Sequence, residues 1–305
     1  MVHPGSAALR APQEECSTSG IALALLTTVL LLGALALRTR AAFGIVALAA
    51  VLIPIERLFS LHPQRILRRG WATDVVHLVV DNLLSAIGVL IGVVGVGLAL
   101  RAAVPSVWRE AIAGQPAWLQ FGEAFLLTNV AFYWAHRAAH SVPVLWRFHK
   151  VHHAITEMDW LASGHLHPID QAIQRTAVVV PLFALGFSKA TFGAFLVVTT
   201  LQAIFVHANV RLRFGPLRWL ITTPEFHHWH HAVDPAARNR NFAGELPVLD
   251  RLFGTLYMPS DQWPVGYGLD AAEPGGSQPD GYVRQLAWPF RSGPQPSVSS
   301  SSSSR

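Results

Sequence analysis

Three short stretches carry histidines at helical spacing. HRAAH gives His136 and His140, HKVHH gives His149, His152 and His153, and HHWHH gives His227, His230 and His231. On a helix, positions i, i+3 and i+4 share a face, so each stretch projects two or three imidazoles in one direction. His228 points about 100° away from the rest of its group. Of the 15 histidines in the chain, 12 lie between His136 and His231, a window of 96 residues. An even scatter would leave about five there.

Eight imidazoles packed together repel one another if protonated. If neutral, they present lone pairs that a bound cation satisfies best. One zinc takes about four ligands, so eight ligands point to two metals. Imidazole suits zinc, copper, nickel and iron alike, and spacing does not separate them. No H-E-x-x-H is present, which argues against a zinc protease. Cys16 is the only cysteine, so no intrachain disulfide or thiolate cluster forms and the metal is held by nitrogen or oxygen. A mostly neutral ligand set leaves positive charge for anionic oxygen species to share, favouring dioxygen chemistry over hydrolysis. The isolated His3, His62 and His77 are read as solvated or hydrogen-bonded residues without a role.

The elements that position these residues are apolar. Of the 305 residues, 51% are hydrophobic and 13% charged, with a mean hydropathy of +0.36. A soluble domain carries about a quarter charged residues, so the composition indicates an integral membrane protein. The net charge of +5 comes from arginines beside apolar segments, a membrane-flank pattern that excludes a nucleic-acid surface. Apolar runs cover Ile21 to Leu37, Ala41 to Ile55 and Val75 to Leu100, and Phe121 to Trp134 starts a helix running directly into HRAAH. A last pair, Thr176 to Leu185 and Ala190 to Val206, either spans or forms a re-entrant hairpin. The expected fold is all-α, with about four transmembrane helices and a cytoplasmic helical cap carrying the histidines. The orientation follows from residues 56–74, whose four arginines outnumber the two of the Arg38 to Arg40 turn. The division expected is 1–20 flexible tail, 21–120 transmembrane helices, 121–260 catalytic domain, 261–292 C-terminal extension and 293–305 disordered Ser-rich tail.

HRAAH, HKVHH, a histidine-proline and HHWHH, followed by NFAGELPVLDRLFGT, together resemble the fatty acid hydroxylase and sterol desaturase superfamily from about Glu123 to Pro259. Phe242 and Ala243 stand where Tyr-Gly is common in that family, and Leu249 where Trp is common. The resemblance implies a membrane oxygenase with two histidine-bound iron ions, and carries over His136, His140, His149, His152, His153, His227, His230 and His231 as ligands. ASGHLHPID and FVHANVR add His167 and His207, the latter followed two residues on by Asn209. His165 and His228 are left outside the ligand set, as candidates to support the ligands from a second layer. Asp159, Asp170, Glu225, Asp234 and Asp250 are candidates to hold ligand rings by their second nitrogen, with helix capping as the alternative. Asp170, Asn209 and Asp250 are the second-layer residues retained.

That family hydroxylates or desaturates an unactivated C–H position of a lipid with O2 and two electrons. The sequence holds no dinucleotide fingerprint, haem attachment motif or iron–sulfur cysteine set, so the electrons need a separate donor, a ferredoxin or a cytochrome b5-like protein with its reductase. The arginines of residues 56–74 and 137–147 offer it a docking surface. The alternatives are a di-zinc membrane hydrolase and a metal-binding or metal-transporting membrane protein. The latter wants ionisable groups near mid-span, whereas these lie at or beyond the ends of apolar runs.

Overall fold

Long apolar runs become helices because only a helix satisfies every backbone group internally in hydrocarbon. The computed structural model describes residues 40–270 and 277–291. The N-terminal tail, the run Ile21 to Leu37 and the Ser-rich tail lie outside the described residues, as does the Arg38 to Arg40 turn in all but its last residue. Among the described residues the chain is helical, with only two isolated bridges, Ser60 to Val210 and Ala232 to Tyr267, and no strand.

The run from Ala41 lies in α1 (Arg40–Leu58). Val75 to Leu100 lies within α2 (Trp71–Ala103), a continuous 33-residue helix interrupted by two π-helical turns, His77–Asp81 and Val93–Gly97. A short α3 (Ser106–Ala113) leads to the 25-residue α4 (Ala117–Ser141), which carries His136 and His140 in its last turns. Then follow α5 (Pro143–His153), α6 (Pro168–Leu185), α7 (Lys189–His207), α8 (Pro224–His230), α9 (Val248–Leu252) and α10 (Tyr282–Arg291). Two of these, α2 and α7, are long and apolar enough to cross a membrane. Leu83, Ile87, Leu90, Ile91 and Val94 of α2 are all more than half exposed, as a lipid-facing surface requires.

The bundle closes where α2 meets α6. Gly88 and Gly92 form a G-x-x-x-G stripe, and a Cβ on either would come within 2.5 Å of a side chain on α6, Ala172 or Thr176. Small residues at this spacing let two helix backbones approach closely. Arg175 of α6 reaches back to Asn82 Oδ1 at 2.5 Å and Ser85 Oγ at 3.1 Å, so its charge is met by polar groups of α2.

Proline sets the bend that matters most. Val142 precedes Pro143 and is held extended (φ −96°, ψ 115°), because the pyrrolidine ring disfavours helical geometry in the residue before it. The chain therefore turns between α4 and α5 instead of continuing as one rod. That turn brings the HRAAH and HKVHH faces together.

Candidate metal centre

Each histidine-bearing helix has a local reason to end where it does. Thr223 caps α8 by accepting from the Phe226 N–H at 3.4 Å, Pro224 occupies the first helical position, and His231 closes the helix as its C-cap. One helical turn therefore presents His227, His230 and His231 on a single face. His207 is the last residue of α7, and His149, His152 and His153 occupy the last two turns of α5.

Nine histidines converge in two groups. One holds His136, His140, His149, His153 and His230; the other holds His152, His207, His227 and His231, each group offering one ligand atom per residue within 4.8 Å of the others. In the first, the His149 Nε2 lies 3.2, 3.1 and 3.1 Å from the Nε2 atoms of His136, His140 and His153. In the second, the His207 Nε2 lies 3.3 Å from that of His152 and 2.9 Å from that of His227, which is 3.1 Å from the His231 Nε2.

The opposite ring nitrogens explain why these Nε2 atoms carry lone pairs. The Nδ1–H of His136 donates to the Phe242 carbonyl at 2.8 Å, that of His152 to His165 at 3.0 Å, that of His207 to Ala203 at 2.6 Å and that of His230 to Arg240 at 2.8 Å. His149 donates to Asp170 Oδ2 at 2.9 Å, and the Asn239 side chain hydrogen-bonds His140. A neutral imidazole donates through one nitrogen only, so these anchors fix the tautomer and leave Nε2 as acceptor facing acceptor. The buried His230 Nε2 and His231 Nδ1 have no hydrogen-bond partner at all. Lone pairs facing one another are unfavourable until a cation lies between them, so the donor set fits a metal in each group. Burial holds His152, His153, His227, His230 and His231 well below the usual histidine range, and the neighbouring imidazoles push the same way. The rings are therefore neutral, as ligation requires.

The tail NFAGELPVLDRLFGT uses two side chains, Asn241 and Asp250, to hold its backbone against the site. Asn241, at φ 59°, donates to the carbonyls of Phe226 and Tyr257 and accepts from the Tyr257 N–H, tying the segment across the site. Asp250 accepts from the N–H groups of Phe242 and Ala243, both at 2.8 Å, and from the Thr255 hydroxyl. This loop supplies the Arg240 and Phe242 carbonyls that anchor His230 and His136.

A fatty acid hydroxylase family profile matches residues 121–255. Ornithine lipid hydroxylase OlsE of Rhizobium tropici is 30% identical over 257 residues, covering 81% of this chain and 72% of that protein. The chain belongs to the fatty acid hydroxylase family. Alkylglycerol monooxygenases of Danio rerio and Homo sapiens are 34% and 30% identical over 146 residues, 48% of this chain. The chain spans about a third of their length, 32% in each case. No solved structure matches it.

The fatty acid hydroxylase fold places the remaining candidates elsewhere. His167 joins neither group: its Nε2–H donates to the Leu286 carbonyl at 3.1 Å, and its Nδ1 accepts from the Ile169 N–H as the N-cap of α6. His228 is fully buried outside both groups, its ring between the Tyr267 hydroxyl at 2.6 Å and the Ala208 carbonyl at 3.0 Å. His77, read from sequence as an isolated residue, is also fully buried, 2.5 Å from Asp81 and 2.8 Å from Gln285. Asn209 exchanges bonds with the backbone of His62 at 2.9 and 2.8 Å, fixing the chain just after His207.

Among the five acidic candidates only Asp170 touches a ring of the two histidine groups. Asp159 pairs with Arg68, Glu225 with Arg218, and Asp234 caps the turn at Ala236. No sequence pattern marks the carbonyls of residues 165, 203, 240 and 242, because a backbone acceptor is independent of residue type. Gln174, 2.8 Å from Asp170 Oδ1, had a weak signal: it lies four residues after Asp170 and so on the same helix face.

Proposed function

We propose that this chain is a membrane-bound oxygenase with two histidine-held iron ions that hydroxylates an unactivated C–H position of a lipid. The overall balance is R–H + O2 + 2 e⁻ + 2 H⁺ → R–OH + H2O. One observation carries the reading: nine imidazoles, five of them anchored at the far nitrogen by a carbonyl or by Asp170, turn ring nitrogens into two adjacent groups. Bound iron would supply the reductive activation of O2 there.

The chain's own residues do the rest. The carbonyls of residues 165, 203, 240 and 242 and the Asp170 carboxylate hold the rings in place, so ligation needs little rearrangement. Burial of the groups excludes water from the reacting position. His140, only half-buried, marks the more open edge of the five-histidine group. Hydroxylation is preferred to desaturation because the similarity covering most of the chain is to a lipid hydroxylase.

The topology proposed is multi-pass, with about four spans and the histidine groups on the cytoplasmic side. Residues 121–260 form the catalytic domain within it. A ferredoxin or cytochrome b5-like protein with its reductase delivers the electrons, as the chain shows no redox motif of its own.

The deciding experiment co-expresses the chain with such a donor in a host making ornithine lipids and other acyl lipids, and compares lipid masses with a His230→Ala variant. A gain of 16 mass units on one lipid class, absent in the variant, is expected. A loss of 2 would make the reaction a desaturation. Identical profiles with iron-loaded protein, or activity in a colourless protein without O2, would overturn the oxygenase reading.

A further inference from the structure

The anchor of His152 differs from the others in what stands behind it. His165, which supplies the carbonyl, lies between α5 and α6 in a loop with φ −78° and ψ 75°. The Leu166 N–H donates to the Gly164 carbonyl at 2.9 Å, closing an inverse γ-turn centred on His165. No helix ladder fixes the peptide that His152 relies on. Its direction depends on what holds the His165 side chain.

That side chain is clamped from both sides. The His165 Nδ1–H donates to Asp74 Oδ1 at 2.5 Å. Asp74 Oδ2 receives Arg68 Nη2 at 2.5 Å, and the same guanidinium reaches Asp159 through Nε and Nη2, both at 2.7 Å. Asp159 in turn caps the helical turn Trp160–Gly164 leading into His165, accepting from the Ala162 N–H. On the far edge of the ring, the Gln278 amide lies 2.8 Å from His165 Nε2 and also donates to the Val151 carbonyl at 3.2 Å. Val151 is the neighbour of His152, so Gln278 bridges the two sides of the His152–His165 hydrogen bond. Arg68, Asp74, Asp159 and His165 are each no more than 5% exposed. Buried charges are costly unless they are paired, so the cluster holds its geometry tightly.

We propose that Asp74, His165 and Gln278 are positioning residues for the four-histidine group, fixing the His165 carbonyl against which the His152 ring is oriented. The proposal rests on the metal occupancy put forward above. Asp74 comes from α2 and Gln278 from the segment before α10, both outside the family match at 121–255. The two flanks of the chain thus complete a ligand that lies within the matched region.

The test uses the full chain in detergent, loaded with Zn(II), and measures metals per chain, release to a chelator and the unfolding temperature of the metal-free protein. His165→Phe keeps the ring volume and removes both polar edges; His165→Asn restores a donor near Nδ1; Gln278→Leu is the milder change. The expected result is that one of the two metals leaves about 10- to 100-fold faster in His165→Phe. The other metal leaves at the wild-type rate, His165→Asn recovers most of the loss, and Gln278→Leu shows the same selective effect at smaller size. Wild-type release in both variants would overturn the proposal. So would equal acceleration of both metals alongside a lower unfolding temperature, because that is general loosening. If His165→Phe does not fold, the same two outcomes are read from Gln278→Leu. A wild-type chain that takes up no metal defeats both this proposal and the function above, whereas two metals with unselective variants defeat this one alone.

Discussion

The Nδ1 of His149 lies 2.9 Å from Asp170 Oδ2, and among the described residues no other histidine of the two groups is backed by a carboxylate. A carboxylate behind an imidazole raises its basicity as a ligand and locks its orientation. Gln174 holds the other Asp170 oxygen at 2.8 Å, leaving the carboxylate little freedom to turn. Asp170→Asn should therefore weaken metal binding in the five-histidine group by about 10- to 100-fold while leaving the four-histidine group intact. Competitive metal titration of the two proteins checks this; an unchanged tight phase would mean that the negative charge is dispensable.

His228 and His230 sit two residues apart and should fail differently. The His228 Nε2–H donates to Ala208 and its Nδ1 accepts from Tyr267, so His228→Ala removes two buried hydrogen bonds, although Ala208 still accepts from the Val210 N–H and the Tyr267 hydroxyl still meets the His62 ring. Each lost bond costs about 0.5 to 1.5 kcal/mol of stability, but leaves both histidine groups complete. His230→Ala removes a proposed ligand, whose Nε2 has no hydrogen-bond partner. Metal analysis and denaturant unfolding together separate the two: His228→Ala keeps its metals and unfolds more easily, His230→Ala loses metal.

Much of this site could be read from spacing alone, since the i, i+3, i+4 rule places His227, His230 and His231 on one face and turns His228 away. The helices were legible for the same reason: Val75 to Leu100 and Ala190 to Val206 are apolar enough that hydrocarbon admits little else than a helix. What spacing could not show was the use made of the polar residues left over. His167 precedes a proline at a helix start, and there its ring caps α6 and reaches Leu286, a residue 119 positions away. His77 looked isolated because Asp81 is its only close sequence partner, while Gln285 comes from the far end of the chain. The anchors of His136, His152, His207 and His230 are carbonyls, which every residue type carries.

Glu245 gives the protein a pH dependence of its own. Burial raises its carboxyl from about 4.5 to about 7, with a bond to the Asn129 side chain opposing the rise. The folded state therefore keeps a proton that the unfolded state gives up, so this residue's contribution to stability falls as pH rises from about 4.5 through 7. The full cost above pH 7 is on the order of 3 kcal/mol, at 1.36 kcal/mol per pKa unit. Glu245→Gln should match the wild type near pH 4 and be more stable than it at pH 8. Denaturant midpoints at the two pH values measure the difference, and an equal gap at both would assign it to packing.

The Gly88 and Gly92 stripe links packing to the metal site through α6. A Cβ on Gly88 would meet the Ala172 Cβ at 2.5 Å, and neither atom belongs to a flexible side-chain end that can swing aside. Gly88→Leu must therefore push α6 away from α2, at a cost of about 1 to 3 kcal/mol. Gly95 lies in the same helix with nothing within 4 Å of its would-be Cβ, which makes Gly95→Ala the control. Ala replaces Gly in a helix with a gain of up to about 1 kcal/mol, so the control should be neutral or slightly stabilised. Asp170 lies on α6 just two residues before Ala172, and a displaced helix carries it away from His149. Gly88→Leu should accordingly lower both the unfolding midpoint in detergent and the metal affinity of the five-histidine group. Loss of stability with unchanged affinity would show that α6 moves only at its far end.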